Sequence, residues 1–206
     1  MSTFLQIHPD NPQPRLIARA ADGVRQGGVI AYPTDSCYAL GCRLGDQNAL
    51  ARIRRIRCMD KNHNLTLVCR DLKELSAYAR VENSVFRLLK HATPGPYTFI
   101  LPATKDAPKR LMHPKRKTIG LRIPDCRIAL DLLAALGEPI MSATLFPPGE
   151  ERPMTDAQDI RNALGRELDA VIDGGYCGPE PTTIVDLTGD APIILRHGVG
   201  DPGPFE

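Results

Sequence analysis

Pro14-Arg15-Leu16-Ile17-Ala18-Arg19-Ala20-Ala21-Asp22-Gly23-Val24-Arg25-Gln26-Gly27-Gly28-Val29-Ile30-Ala31-Tyr32-Pro33 changes its period half-way along. Leu16, Ile17, Ala20, Ala21 and Val24 recur at helical spacing, and Pro14 suits a first turn. The Gly27-Gly28 pair stops that helix. Val29 to Tyr32 then runs apolar without alternation, as a buried strand does, and Pro33 ends it.

The same alternation continues downstream. Asp46 can cap a helix carrying Ala49, Leu50, Ile53 and Ile56, and residues 65–69 form a short apolar strand. Asp71-x-x-Glu74 has the form of a capping box, and a further helical run covers residues 82–91. Residues 97–101, after the turn-forming Thr93-Pro94-Gly95-Pro96, and residues 118–123 have strand character. Asp125 can cap a helix through Ile128, Leu132, Leu133 and Leu136, closed by Gly137, before a short apolar run at 140–143. Thr155-x-x-Gln158 predicts another capped helix, and strands are expected near Val171 and over 183–187 and 193–196. Interleaved strands and helices predict an α/β layered fold, and 206 residues fit one domain over 1–206.

Composition narrows the class. Apolar residues make up 42%, enough for a core, and 17 glycines with 19 prolines are too few for a collagen-like or low-complexity chain. No run approaches the ~18 apolar residues of a membrane span. The first ten residues lack the basic and apolar regions of a signal peptide. The six cysteines include no C-x-x-C pair, which disfavours a zinc site, and a disulfide framework is not expected in a chain of this size without a secretion signal. Free thiols packed as small hydrophobes in a reducing cytosol are expected, and with them a cytoplasmic protein without a membrane partner.

The net charge of +2 hides two basic stretches. Residues 51–61 hold Arg52, Arg54, Arg55, Arg57 and Lys61 against Asp60; residues 105–117 hold Lys105, Lys109, Arg110, Lys115, Arg116 and Lys117 against Asp106. Such asymmetry suits a polyanion or a nucleotide, although solvated helix faces look the same in sequence.

No P-loop, dinucleotide fingerprint, H-E-x-x-H or G-x-S-x-G motif is present, and no metal site is predicted. What remains is polar residues at strand ends. Thr34, Asp35 and Ser36 follow the first strand, where open α/β sheets bind ligands and where turns also use hydroxyls locally. Arg122 sits inside the apolar run Ile119-Gly120-Leu121-Arg122-Ile123, a costly place for a charge unless it is paired or faces a cleft. Arg196 closes a similar run, Ile193-Ile194-Leu195-Arg196.

With these residues the sequence resembles the YrdC/YciO-like family, whose best-known activity is L-threonylcarbamoyl-AMP synthesis. The resemblance rests on ordered pieces through nearly the whole chain: Tyr32-Pro33-Thr34-Asp35-Ser36-Cys37-Tyr38-Ala39-Leu40-Gly41, Pro94-Gly95-Pro96-Tyr97-Thr98-Phe99-Ile100-Leu101, Ile119-Gly120-Leu121-Arg122-Ile123-Pro124, Pro181-Thr182-Thr183-Ile184-Val185-Asp186-Leu187 and Ile194-Leu195-Arg196-His197-Gly198. His8-Pro9-Asp10-Asn11-Pro12, His63-Asn64-x-Thr66-Leu67 and Lys115-Arg116-Lys117-Thr118 are closest to the YciO subgroup.

The resemblance implies a twisted, mixed sheet of the YrdC/RibB-like type with a positively charged concave face. It implies a synthase-like protein that binds ATP or AMP and L-threonine, uses bicarbonate, takes ATP with Mg²⁺ as substrate, and belongs to tRNA threonylcarbamoyladenosine biosynthesis. tRNA or double-stranded RNA is the further partner it admits. By the same resemblance Thr34, Arg122, Ser142, Thr182 and Thr183 bind substrate, and Arg196 binds nucleotide. Arg57 and Thr144 take catalytic and nucleotide-binding places. Family synthases carry Lys-x-Arg where this chain has Arg57-Cys58-Met59, and Ser-x-Asn where it has Thr144-Leu145-Phe146. Met59 cannot meet a phosphate electrostatically, Phe146 could stack on a base, and losing one such electrostatic group commonly costs about 10²–10³ in rate. His63 is a substrate-site candidate as a replacement cation, or an ordinary hydrogen-bonded loop residue. Two other functions are kept: a double-stranded RNA or nucleotide-binding protein with little or no catalysis, and a threonylcarbamoyl-AMP hydrolase.

Overall fold

Apolar runs and period-two stretches become strands of one sheet. The computed structural model describes residues 2–59, 65–147, 149–150 and 152–206. Among them the strands are β1 (Thr3–Gln6), β2 (Ile30–Tyr32), β3 (Ala39–Arg43), β4 (Thr66–Val68), β5 (Tyr97–Pro102), β6 (Thr118–Arg122), β7 (Ile140–Thr144), β8 (Ala170–Asp173), β9 (Thr183–Asp186) and β10 (Ile193–Arg196). They lie in the order β1-β8-β2-β3-β7-β4-β6-β5-β9-β10. The sheet holds parallel pairs such as β1–β8 and β4–β6 and antiparallel ones such as β3–β7 and β5–β6, so it is mixed and open.

The helices are α1 (Pro14–Arg25), α2 (Gln47–Ile56), α3 (Leu72–Tyr78), α4 (Asn83–Ala92), α5 (Arg127–Leu136) and α6 (Ala157–Leu164). Asp46 caps α2 by accepting from the Ala49 amide at 2.9 Å. Asp71 caps α3 through the Glu74 amide, while Glu74 accepts from the Arg70 amide, one residue before the cap. Two expected caps shift by one residue. Asp156, not Thr155, caps α6 through the Gln158 and Asp159 amides. Cys126, not Asp125, stands at the start of α5, and the Asp125 amide donates instead to Asp35 Oδ2.

The two faces of the sheet are covered unequally. On one face α2, α3, α4 and α6 bring Ile53, Leu75, Leu89 and Ile160 against Leu40, Leu67, Phe99, Leu121 and Val185. On the other, α1 and α5 pack together and bring Ile17, Val24, Ile128 and Leu132 against Leu5, Ile30, Tyr32, Ile140 and Ile172. This second layer reaches β1, β8, β2, β3 and β7, and of β4 only Val68. The same face of β4, β6, β5, β9 and β10 forms the floor of a cleft. At the seam, Gly41 lets Tyr32 cross β3: a Cβ there would lie 2.9 Å from Tyr32 Cε1.

Candidate functional site

The cleft has a volume of 460 Å³, and its lining includes Arg57, Arg122 and Arg196. Strand alternation supplies the floor: Thr66 and Val68 of β4, Thr98 of β5, Arg122 of β6 and Ile184 of β9 point in, while Leu67, Phe99, Leu121 and Val185 point into the opposite core. Among the described lining residues Glu150 is the one carboxylate.

Arg122 is 7% exposed. Its Nη2 donates to Ser36 Oγ at 3.0 Å, to Thr34 Oγ1 at 3.2 Å and to Asp35 Oδ1. The Asp35 carboxylate therefore neutralises a charge that would be costly alone. Nη2 is thus occupied by the loop after β2, and among the described residues Nη1 has no partner. Thr34 does not line the cleft. Its hydroxyl donates to the Cys37 carbonyl at 2.6 Å and accepts from the Ser36 amide at 3.2 Å, so it holds the turn and Arg122 together.

Thr182 and Thr183 separate. Thr182 lines the cleft, with its hydroxyl 2.9 Å from Thr98 Oγ1. Thr183, fully buried, points to the opposite side, where it donates to the Gly200 carbonyl at 2.6 Å and accepts from the Gly198 amide at 3.0 Å. Neighbouring strand residues face opposite sides, so only one of the pair can reach the cleft. Arg196 reaches it because of a bulge. Ile194 lies opposite Val185 and Arg196 opposite Ile184. In a regular strand Arg196 would share the core-facing side of Ile194; the extra residue re-aims it. It donates to the Thr182 carbonyl from Nε and Nη2 at 3.1 and 2.8 Å.

Arg57 and Thr144 both line the cleft. The Arg57 guanidinium lies 4.6 Å from the centre of the Phe146 ring and donates to the Phe146 carbonyl at 3.1 Å. Burial lowers the pKa of Arg57 and likewise that of Arg196. Ser142, at the seam, donates to the Leu40 carbonyl at 2.9 Å and pairs with the Tyr32 hydroxyl at 2.8 Å, while burial pushes Tyr32 up to about 12. His63 lies outside the described residues. All six cysteines are free, and burial pushes Cys37 up to about 11 and Cys177 up to about 12, which keeps both protonated. Among the described residues no group of three or more His, Cys, Asp or Glu is placed to hold a metal ion. Among them, too, no helix is long and apolar enough to cross a membrane.

Thr66, Thr98 and Glu150 are the site residues that reading the sequence did not assign, and the pairing of Asp35 with Arg122 was not legible there either. Thr98 carried a signal, a hydroxyl in the apolar run Tyr97-Thr98-Phe99-Ile100; Glu150 carried none.

Comparison with known proteins fits this arrangement. A family model grouping Sua5, YciO and YrdC, described as "Telomere recombination", matches residues 22–198. The chain belongs to the Sua5/YciO/YrdC family. Within that family it is 56% identical to YciO of Escherichia coli over the full length of both chains, and the crystal structure of that protein superposes with a TM-score of 0.96. It is 32% identical over 180 residues to the threonylcarbamoyl-AMP synthase of Halorhodospira halophila, covering 86% of this chain and 93% of the synthase. Pyrococcus abyssi Sua5, solved in complex with L-threonine, superposes with a TM-score of 0.88 at 26% identity, over 96% of this chain and 58% of the Sua5 chain.

Proposed function

We propose that this protein binds an adenine nucleotide and L-threonine in the cleft and forms threonylcarbamoyl-AMP slowly. One observation carries the reading: three arginines converge on one concave site, and Arg122 is held by Asp35 with Nη1 left for a ligand carboxylate. The synthase relatives and the threonine-bound Sua5 support it.

The chemistry has two steps. The threonine amine adds to bicarbonate with loss of water, giving a carbamate. A carbamate oxygen then forms a bond to the α-phosphorus of ATP while the bond to the β-phosphate breaks, and pyrophosphate leaves with the electron pair. Arg122 orients the threonine carboxylate, Thr98 and Thr182 offer hydroxyls, and Arg57 with Arg196 bears on the phosphates. Among the described lining residues Glu150 is the one carboxylate, and in this reading Mg²⁺ enters with the ATP substrate. The product would feed tRNA threonylcarbamoyl modification in the cytoplasm.

A second reading, binding of nucleotide or RNA with little synthesis, is favoured by the Arg57–Phe146 stack. That stack engages the rim arginine internally, and the neighbouring lining residue Met59 carries no charge. The deciding assay mixes the protein with ATP, Mg²⁺, L-threonine and bicarbonate and quantifies threonylcarbamoyl-AMP and pyrophosphate by mass spectrometry. Arg122→Lys keeps a cation opposite Asp35 but loses the fork, and should lower product about 10²-fold. A Met59→Arg, Phe146→Asn double variant should raise it. No product from folded wild type, beside an active synthase control, contradicts synthesis and selects the second reading.

A further inference from the structure

The structure sorts the two basic stretches residue by residue. Arg52 pairs with Asp169 at 2.9 Å and donates to the Glu167 carbonyl at 2.8 Å. Arg57 turns into the cleft. Arg54 and Arg55 turn the other way and, with Arg110 from the second stretch, line a separate depression of 390 Å³ on the outer side of α2. Segments far apart in sequence thus bring three arginines to one depression, and no carboxylate is among the described lining residues. Arg55 approaches Glu167 only at 3.9 Å and is largely exposed, a pairing that counts for little. Arg54 Nε is buried and has no hydrogen-bond partner among the described residues.

Both walls are anchored. The loop bearing Arg110 is pinned by buried Ala107 and Leu111, and His113 Nδ1 accepts from the Lys115 and Arg116 amides at 3.3 and 3.1 Å. The end of α2 closes with the Cys58 amide on the Arg55 carbonyl and the Met59 amide on the Arg54 carbonyl, at 3.1 and 2.9 Å, which sets Cys58 at φ 49°. That turn places Met59 in the lining of both the depression and the cleft.

We propose that this depression is a second anion site, for phosphate groups, adjoining the cleft across Met59. Guanidinium forks match phosphate oxygens, and a concave cluster of one sign concentrates anions. The phosphates can come from a free polyphosphate chain or from a nucleic-acid backbone. The site does not depend on what the cleft binds.

Cys58 provides a native reporter. It lines the depression and is the one exposed thiol of the six. The full chain is alkylated with neutral iodoacetamide at low salt, and modification of Cys58 is followed by peptide mass spectrometry with sodium tripolyphosphate or with a short RNA duplex. Slowing by tripolyphosphate assigns the site to polyphosphate chains; slowing by the duplex alone assigns it to a phosphodiester backbone. Either supports the proposal, and the effect should fade as salt rises. An Arg54→Gln, Arg55→Gln, Arg110→Gln variant should need about tenfold more probe, a loss typical of charge-assisted hydrogen bonds. Arg196→Gln, altered in the cleft, should be protected as wild type is. No slowing by either probe, or protection lost in Arg196→Gln but kept in the triple variant, overturns the proposal.

Discussion

One face of the sheet carries two regions of opposite character. Over β1, β8, β2, β3 and β7, two helices lie on Leu5, Ile30, Tyr32, Ile140 and Ile172, and the layer is apolar. Over β4, β6, β5 and β9, the same face presents Thr66, Thr98, Arg122 and Thr182 to a cleft. The backbone scaffold is shared, so side-chain chemistry decides which half is sealed. Hydrocarbon gains by removal from water, whereas hydroxyls and guanidinium groups lose unless they are partnered. The seam runs through Tyr32 and Ser142, whose hydroxyls satisfy each other where the apolar layer ends.

Substitutions that break this contrast should be ordered in size. Arg122→Ala strips a buried carboxylate, Asp35, of its cation; we expect about 3–5 kcal/mol lost in urea unfolding, together with ligand binding. In the sealed half, Leu132→Ala should cost about 2–5 kcal/mol by opening a cavity, but ligand affinity should survive in the folded fraction. Calorimetric titration with AMP separates the two: loss of both properties in both variants would erase the distinction. Thr183→Val should cost about 1–3 kcal/mol, because the Gly200 carbonyl and Gly198 amide lose their partner, and leave affinity unchanged. Thr182→Val should do the reverse, lowering affinity with a stability change within about 1 kcal/mol. The smallest effect is expected at Cys58→Gly, which relieves a left-handed backbone and should raise unfolding stability by about 0.5–1 kcal/mol.

Local chemistry made much of the fold readable. The helix over 14–25, the strand ending at Tyr32 and the caps at Asp46 and Asp71 follow from spacing and side-chain reach. Arg122 stood out because a charge inside an apolar run must have a partner. Strand β3 escaped notice because Ala39-Leu40-Gly41-Cys42-Arg43 begins inside the polar turn motif and contains a glycine. The strand order could not be read, since pairings such as β1–β8 and β3–β7 join residues far apart in the chain. Nor could the inward turn of Arg196, which depends on a one-residue bulge, or the outward turn of Thr183, which depends on register.

The central claim is that the open half of this face is the ligand site and the helix-covered half is scaffold. Hydrogen exchange with mass spectrometry, with and without ATP, Mg²⁺ and L-threonine, tests it most directly. The account predicts added protection in the peptides of β5, β6, β9 and β10 and of the loop 33–37, with α1 and α5 unchanged. Protection centred on α1 and α5, or none at saturating ligand, would contradict it.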